Sequence, residues 1–245
     1  MFKWIEPWVL FDVPRNGFQT LTIPVTAEYR IELGAPGNSY DKHPGVRIIG
    51  RFELKKGQKI TAALGQHGNA DWGFCGSGGS FLVLETDEGP KPLLIAGGAG
   101  SAESGDSEFG RGNIKQGAFG NYNIGTSGKQ KFLDGDKEDV YCAGAGFVKA
   151  PEVSNLAEGC VAPKSYKGGL TGGKGVFEGG FGGGGGYYYR RGKWYYGAGG
   201  GFTGGSTKVD GNSCWGGGGG SYSVDPNAKF DHEYVDYGYC KIKKV

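Results

Sequence analysis

Alternation of apolar and charged residues in the first third of the chain predicts β-strands. In residues 28–33 the apolar side chains Tyr29, Ile31 and Leu33 alternate with charged ones. A period of two places the apolar side chains on one face of the backbone, which is typical of a half-buried strand. Similar short apolar runs predict the strands of this region at residues 19–25, 27–33, 46–54, 58–64, 80–85 and 92–96.

The end of the chain returns to a strand-like pattern at residues 234–245, where three lysines are expected on the solvent side. Seven short strands with turn signals between them favour an antiparallel β-sandwich that is closed by the two ends of the chain. We therefore predict a mainly β fold with little or no α-helix. Residues 17–96 together with 230–245 are expected to form the sandwich.

Glycine dominates the region between these strands. The chain contains 53 Gly in 245 residues, and they are densest in residues 168–220, with runs at 182–186, 199–201 and 216–220. A flexible linker is one interpretation of such a composition. Little serine, many Trp and Tyr residues and a following strand-like sequence favour an ordered segment instead.

Polyglycine has an ordered form that suits this region. A chain with no Cβ atoms can adopt the left-handed polyproline II helix, with about three residues per turn, and such helices can approach each other closely. Their backbone N–H and C=O groups can then bond between neighbouring helices. We predict that residues 97–229 form a bundle of polyglycine II helices, sealed by aromatic side chains such as Phe181, Phe202 and Trp215.

Charge and apolar content exclude several partner classes. The formal net charge of +2 is too small to suggest binding to bulk nucleic acid. No apolar run approaches the length of about 20 residues that a membrane helix needs, so membrane insertion is not expected. Glu6 and Pro7 interrupt any secretory signal, so this chain is expected to carry no signal peptide.

The five cysteines lack the short paired spacing of a zinc site. Two disulfides and one remaining thiol are the favoured arrangement, with all five reduced as the alternative. The disulfide candidates are Cys75, Cys142, Cys160, Cys214 and Cys240.

Motifs for catalysis or cofactor binding are incomplete. The run Gly168-x4-Gly173-Lys174 resembles a phosphate-binding loop, but Gly175 follows where a magnesium-binding Ser or Thr is required. The three histidines are far apart in sequence, and no nucleophile motif accompanies them. The acidic loop 134–139 could bind Ca²⁺, yet it lacks the expected glycine and distal glutamate, which favours a solvated turn. We expect no enzyme activity, no cofactor and no metal.

Residues 187–196 stand out between two glycine runs, since they combine six aromatic side chains with three cations. β-Prone aromatic ends around Arg191-Gly192 predict a hairpin that protrudes from the bundle. Such residue types are enriched in binding hot spots, and arginine can bind carboxylate or phosphate in bidentate fashion. Alternatively, the aromatic side chains fold back over exposed glycine backbone. The candidate ligand-binding residues are Tyr188, Arg190, Arg191, Lys193, Trp194 and Tyr195.

Residues 17–245 contain an ordered series of motifs, namely Tyr29-Arg-Ile-Glu-Leu-Gly-Ala-Pro-Gly37, Gly50-Arg-Phe-Glu-Leu54, Leu64-Gly-Gln-His-Gly68, Gly76-Ser-Gly-Gly-Ser-Phe81, Pro92-Leu-Leu-Ile-Ala-Gly-Gly98, Gly179-Gly-Phe-Gly-Gly-Gly184 and Tyr237-Gly-Tyr-Cys-Lys-Ile242. This series resembles the extracellular glycine-rich region of the anaplastic lymphoma kinase and leukocyte tyrosine kinase receptors. The resemblance implies a TNF-like β-sandwich beside a polyglycine-helix bundle and a role in binding protein ligands or surfaces. Kinase activity and receptor signalling are not implied, because this sequence contains neither a kinase domain nor a membrane-spanning helix.

Two functions follow as the main hypotheses. The first is an extracellular, non-catalytic interaction module that binds a protein ligand or a cell-surface glycan through the sandwich–bundle surface and the hairpin. The second is a structural or adhesive protein, such as a matrix, slime or phage-tip component, which displays loops on rigid glycine rods and can self-associate. An enzyme of unfamiliar type is the third and least favoured hypothesis.

Overall fold

The computed structural model describes the backbone of 15 strands and of the segments that connect most of them. Side chains are described from residue 17 onward. The described residues are 3–5, 8–10, 17–39, 42–68, 73–101, 110–114, 141–151, 156 and 158–245. The strands are β1 (Lys3–Ile5), β2 (Trp8–Leu10), β3 (Phe18–Thr22), β4 (Ala27–Gly34), β5 (Gly45–Leu54), β6 (Lys59–Ala63), β7 (Ser80–Leu84), β8 (Lys91–Ala96), β9 (Tyr188–Arg190), β10 (Lys193–Tyr195), β11 (Thr207–Asp210), β12 (Ser213–Gly216), β13 (Tyr222–Ser223), β14 (Lys229–Glu233) and β15 (Tyr239–Lys244).

Two antiparallel sheets pack against each other. The first has the strand order β1-β2-β15-β4-β5-β14, and the second has the order β13-β8-β7-β6-β3. The mainly β fold with little helix is therefore confirmed, and each of the seven predicted strands is present, with ends that differ by a few residues at most positions. Within the described residues, no helix is long and apolar enough to span a membrane.

The sandwich core lies between these two sheets. On β4 the side chains of Tyr29, Ile31 and Leu33 are buried in the core, whereas Glu28 and Arg30 on the other face are half-buried. Glu32 on that face is also buried, within reach of Arg30, Arg47 and Lys241. Strand β15 lies directly beside β4, with Cys240 opposite Leu33 and Ile242 opposite Ile31. The period of two seen in the sequence thus separates one core-facing row from one polar row.

The middle strands of the second sheet, β6, β7 and β8, are largely buried on both faces. Leu82 and Leu94 point into the sandwich core, whereas Phe81, Val83 and Ile95 contact a second apolar cluster on the opposite face. Residues from the glycine-rich region complete that cluster, and they are Phe147, Tyr166, Leu170, Phe181 and Phe202. Aromatic side chains at the edges of the glycine segments therefore attach the bundle to the sandwich.

Residues 197–201, here called the central rod, are surrounded by six other backbone segments. Backbone N–H groups that are three residues apart in residues 196–202 donate to the same neighbouring segment. The carbonyl oxygens that accept these bonds are also three residues apart. Three such sets occur, in which Gly197 and Gly200 donate to Phe74 and Ser77, Ala198 and Gly201 donate to Cys142 and Ala145, and Tyr196, Gly199 and Phe202 donate to Cys214, Gly217 and Gly220. The donor–acceptor distances are between 2.8 and 3.3 Å.

Three further segments donate to the carbonyl oxygens of the central rod. Gly98 and Ser101 donate to Gly200 and Gly197, Gly185 donates to Ala198, and Gly205 donates to Gly199. A period of three in both donors and acceptors is the pattern expected of polyglycine II helices with three residues per turn. Such a packing satisfies buried backbone polar groups between rods instead of within a helix or sheet.

Close packing of the rods explains the need for glycine. A Cβ atom added at Gly78 would overlap the backbone of Phe181, and one at Gly76 would overlap the backbone of Ala198. These neighbours are main-chain atoms, so they could move aside only if a whole rod moved. Glycine at these positions is a steric requirement, and it does not make the segment flexible here.

The two parts of the fold are interleaved along the chain. Residues 76–79, which the sequence analysis placed in the sandwich range, form one of the rods beside the central rod. Conversely, β13 and the first residue of β14 fall in the range predicted for the bundle, yet they pair with sandwich strands β8 and β5. The chain therefore alternates between the bundle and the sandwich more than once, and no single boundary in the sequence separates them.

Candidate functional site

The predicted hairpin at residues 187–196 is present as strands β9 and β10. Arg190 pairs with Lys193, and Tyr189 pairs with Trp194. Arg191 and Gly192 form the turn with φ values of 51° and 76°. Two consecutive positive φ angles are characteristic of a type I′ turn, whose twist matches that of antiparallel strands.

A second hairpin, which the sequence analysis missed, lies beside the first. Strand β11 pairs with β12, and β12 pairs in parallel with β10 to give a four-stranded sheet in the order β11-β12-β10-β9. The hairpin at 187–196 is thus part of a sheet and is not an isolated protrusion. Asp210-Gly211 between two β-prone runs is a hairpin signal that could have revealed this element.

Strand register divides the aromatic side chains of this sheet between two faces. On the inner face, Tyr195 pairs with Cys214 and is fully buried against Cys142 and Cys214, and Tyr188 packs beside them. Tyr195, one of the predicted ligand-binding residues, is 0% exposed and belongs to this inner cluster. Tyr188 is half-buried, and its hydroxyl group contacts the Sγ atom of Cys160.

The outer face of the sheet carries a cluster of seven contacting rings, here called the aromatic face. Its members are Phe74, Phe177, Tyr187, Tyr189, Trp194, Tyr196 and Trp215. The ring centroids of Tyr189 and Trp194 lie 4.4 Å apart with an interplanar angle of 44°. Tyr196 and Trp215 are stacked at 4.0 Å with an angle of 12°. Of these seven residues, the sequence analysis named only Trp194 as a ligand-binding candidate and Trp215 as a sealing residue. It missed Tyr189 as a binding candidate, although Tyr189 lies in the predicted hairpin.

Exposure varies strongly across the aromatic face. Tyr187 and Tyr196 are buried, whereas Tyr189 is 48% exposed and Trp194 is 39% exposed. The buried rings cover Cys75 and the adjoining rods. The exposed pair lies near the tip of the hairpin, where no covering segment is seen among the described residues. Covering of the glycine backbone thus describes Tyr187 and Tyr196, whereas the side chains of Tyr189 and Trp194 remain exposed.

Several cations lie close to the exposed ring pair in the sequence. Residues 179–209 contain four cations and no Asp or Glu, namely Arg190, Arg191, Lys193 and Lys208. Arg191 and Lys208 are exposed, whereas Arg190 and Lys193 are half-buried on the inner face of the hairpin. The nearest acidic residue before this range, Glu178, forms a 2.9 Å ion pair with Lys174. The charged residues of the hairpin sequence itself are thus all cations, whereas the whole chain is close to neutral.

The expectation of two disulfides is wrong, because all five cysteines are thiols in the structure. Four of them serve as small apolar groups in buried clusters. Cys240 lies in the sandwich core, Cys75 lies beneath Tyr187 and Tyr196, and Cys142 and Cys214 share the cluster around Tyr195. Burial raises the pKa of Cys75 to about 12, and it also raises the pKa of Cys142 and Cys240. These three thiols are therefore protonated at neutral pH, and thiolate chemistry is disfavoured.

Two cavities have linings that include neither Tyr189 nor Trp194. Cavities of about 450 Å³ and about 300 Å³ are lined in part by Lys164 and Thr171 and by Arg111 and His232, respectively. Within the described part of the chain, no group of three or more His, Cys, Asp or Glu side chains could hold a metal ion. The acidic loop at 134–139 lies outside the described residues.

Comparison with known proteins gives no assignment. No protein-family model matches the chain, and a search of curated proteins found no significant match.

Proposed function

We propose that this chain is a non-catalytic binding module that recognises its partner through the exposed end of the aromatic face. The single observation that carries this proposal is the Tyr189–Trp194 pair, which is open to solvent although its neighbours Tyr187 and Tyr196 are buried. Large aromatic side chains are costly to leave in water, and exposed aromatic clusters often mark interaction sites. Tyr and Trp are also among the residues enriched in binding hot spots.

The scaffold beneath the ring pair favours binding with little loss of entropy. Trp194 donates its backbone N–H to Asn212, and Tyr196 donates to Cys214, which ties the hairpin to β12. The chain then passes directly into the central rod at Gly197, whose N–H donates to Phe74. A recognition surface that is already ordered pays less conformational entropy on binding than a mobile loop.

The resemblance to the glycine-rich region of the receptor family supports the same class of function and an extracellular location. It suggests a protein ligand or a surface glycan as the partner. A structural or adhesive role is the second candidate, and it is favoured by the six-neighbour packing of the central rod, which suits a rigid display element. Concentration-dependent assembly without any partner, measured by light scattering, would favour this second role.

The proposal is tested by replacing both exposed rings. Tyr189→Ala combined with Trp194→Ala is expected to weaken binding by at least about 30-fold, since one hot-spot residue contributes about 2 kcal/mol. The measurement uses the labelled protein on a glycan array and on an array of recombinant ectodomains. Circular dichroism should show an unchanged fold, because both side chains are substantially exposed.

A matched control removes two exposed tyrosines from a different surface. Tyr234 and Tyr237 are 37% and 42% exposed on the sandwich. The double change Tyr234→Ala and Tyr237→Ala should leave binding within about twofold of the parent protein, as most surface substitutions have small effects. If this control abolishes binding and the Tyr189/Trp194 variant does not, or if the parent protein binds nothing on either array, the proposal is contradicted.

A further inference from the structure

We propose that the ligand of the aromatic face is a neutral polysaccharide that lies across the four-stranded sheet. Its sugar rings stack on Tyr189 and Trp194, and its hydroxyl groups form hydrogen bonds with Ser213 and Asp210. This inference rests on the proposed function and adds the chemical class of the partner. It joins two properties of one row of residues, namely exposed rings at one end and polar groups without partners at the other.

Strand register places these four residues in one row. Tyr189 on β9 lies opposite Trp194 on β10, and Trp194 lies beside Ser213 on β12. Ser213 in turn lies opposite Asp210 on β11. Residues directly opposite each other share one face of a sheet, so this row, here called the binding row, extends the outer face from the ring pair to the edge strand. With about 4.8 Å between neighbouring strands, the row is about 14 Å long, which is longer than one sugar ring.

The polar groups of the binding row are accessible to a ligand. Asp210 is exposed and Ser213 is half-buried. Neither side chain forms a hydrogen bond or an ion pair among the residues that the structure describes. An ionised carboxylate accepts hydrogen bonds, and a hydroxyl group both donates and accepts them. The row therefore offers acceptors and a donor next to two aromatic rings.

A pyranose sugar matches this combination of groups. The negative face of an aromatic ring attracts weakly positive C–H groups, and a pyranose ring presents several such groups on one side. Its hydroxyl groups project from the edge of the ring, where they can donate to the carboxylate of Asp210 and bond to the hydroxyl group of Ser213. Hydrogen bonds to a charged acceptor are stronger than neutral ones, so Asp210 would fix the position of the sugar chain along the row.

The charges on the sheet favour a neutral sugar over an anionic one. The register places Lys208 and Asp210 on the outer face, so this face carries one charge of each sign. Arg190 and Lys193 lie opposite each other on the inner face, where both are half-buried. A polyanion that lay along the binding row would meet the carboxylate of Asp210 and be repelled by it.

The carboxylate also favours a sugar over a proline-rich peptide, which is another common ligand of aromatic surfaces. A polyproline segment has no backbone N–H groups, so it offers carbonyl acceptors alone. The ionised side chain of Asp210 cannot donate to them. Such a peptide could stack on Tyr189 and Trp194, but it would gain nothing from Asp210.

The test measures binding of the immobilised full chain to soluble probes by biolayer interferometry. The neutral probes are dextran, laminarin, galactomannan and xyloglucan, which differ in sugar linkage, and the others are dextran sulfate and a polyproline peptide. At least one neutral polysaccharide should bind at least about tenfold more tightly than dextran sulfate and polyproline. Its affinity should be equal within about twofold at low and high salt, because the complex contains no ion pair.

Variants of the binding row identify the residues responsible. Asp210→Ala should weaken binding of that polysaccharide by at least about tenfold, the usual effect of losing a hydrogen bond to a charged group. Asp210→Asn keeps one acceptor oxygen and should lose less affinity. Tyr189→Ala combined with Trp194→Ala should lose at least as much as Asp210→Ala. The matched control is Asp87→Ala, which removes another exposed carboxylate from a hairpin turn and should leave affinity within about twofold.

Each other outcome overturns the inference in a distinguishable way. If no neutral polysaccharide binds the parent protein but an ectodomain does so through Tyr189 and Trp194, the inference is wrong and the proposed function survives. If dextran sulfate binds more tightly than every neutral probe, the ligand is anionic. If polyproline binds as tightly as the polysaccharides and Asp210→Ala has no effect, the partner is a peptide. If the ring variant binds the polysaccharide as tightly as the parent protein does, the inference and the proposed function are both contradicted.

Discussion

Gly199→Ala is expected to lower the free energy of unfolding by at least about 3 kcal/mol, a large fraction of the total for a protein of this kind. A Cβ atom at Gly199 would overlap the backbone of Gly98 and approach the backbone nitrogen of Gly219. To make room, two neighbouring rods would have to separate, which would stretch hydrogen bonds such as Gly98 N to Gly200 O at 2.9 Å. Urea denaturation followed by circular dichroism measures the change.

The adjacent position of the same rod supplies the control. Ala198 already carries a methyl group and is fully buried, so Ala198→Gly removes a side chain from the rod without creating overlap. This change should lower the free energy of unfolding by about 1 kcal/mol, because a buried methyl group is lost and the unfolded chain gains conformational freedom. A Gly199→Ala protein that is no less stable than Ala198→Gly would mean that the rods are not packed at backbone contact.

Phe81→Ala is expected to destabilise the protein by about 4 kcal/mol, as for other large buried aromatic side chains. Phe81 is 0% exposed, and its ring lies 6.4 Å from that of Phe147 and 5.9 Å from that of Tyr166. Since both partners come from the glycine-rich region, the loss should affect the attachment of the bundle as well as β7. Denaturant unfolding should remain a single transition at a lower midpoint, measured both by circular dichroism and by tryptophan fluorescence.

Phe81→Leu is the companion variant, because it keeps most of the apolar volume at this position. It should cost no more than about 1.5 kcal/mol, the usual limit for hydrophobic exchanges of similar size. Equal losses for the two variants would argue that volume at Phe81 is unimportant. Two separate transitions in the parent protein would contradict the claim that sandwich and bundle unfold together.

The sandwich strands were predictable because local pattern and tertiary burial agree there. Tyr29, Ile31 and Leu33 alternate with charged residues in the sequence, and the same alternation decides which side of β4 meets the core. Turn signals such as Lys55-Lys56-Gly57 also act locally, and Gly57 adopts a φ of 88° there. Strand ends differ by a few residues because the last pair in a ladder depends on the neighbouring strand.

The site was only partly predictable, because its assembly depends on residues remote in sequence. The hairpin turn at Arg191-Gly192 could be identified from local chemistry, but the parallel pairing of β10 with β12 could not. That pairing buries Tyr195 and brings Trp215 onto Tyr196. The disulfide prediction failed for the same reason, because the positions of the cysteines in the sequence do not reveal which thiols are packed in apolar clusters.

The composition predicted that the glycine segments adopt an ordered structure, but it did not predict which segments lie beside each other. Glycine runs permit close rods, yet nothing in a run of identical residues specifies its neighbours. The residues that bracket the runs provide the register, since Tyr196 stacks on Trp215 and Phe202 stacks on Tyr222, on either side of the glycine run 216–220. Aromatic residues at rod ends therefore both seal the bundle and fix its alignment.

The most direct measurement of the central claim is amide hydrogen exchange along the central rod, resolved residue by residue by NMR. Each N–H from Gly197 to Gly201 is bonded to a neighbouring segment, so these amides should exchange as slowly as those of β7 in the sandwich. The turn at Arg191-Gly192 should exchange rapidly in the same sample and serve as the internal reference. Exchange of residues 197–201 at the rate of that turn would contradict the ordered bundle and, with it, the rigid support proposed for the aromatic face.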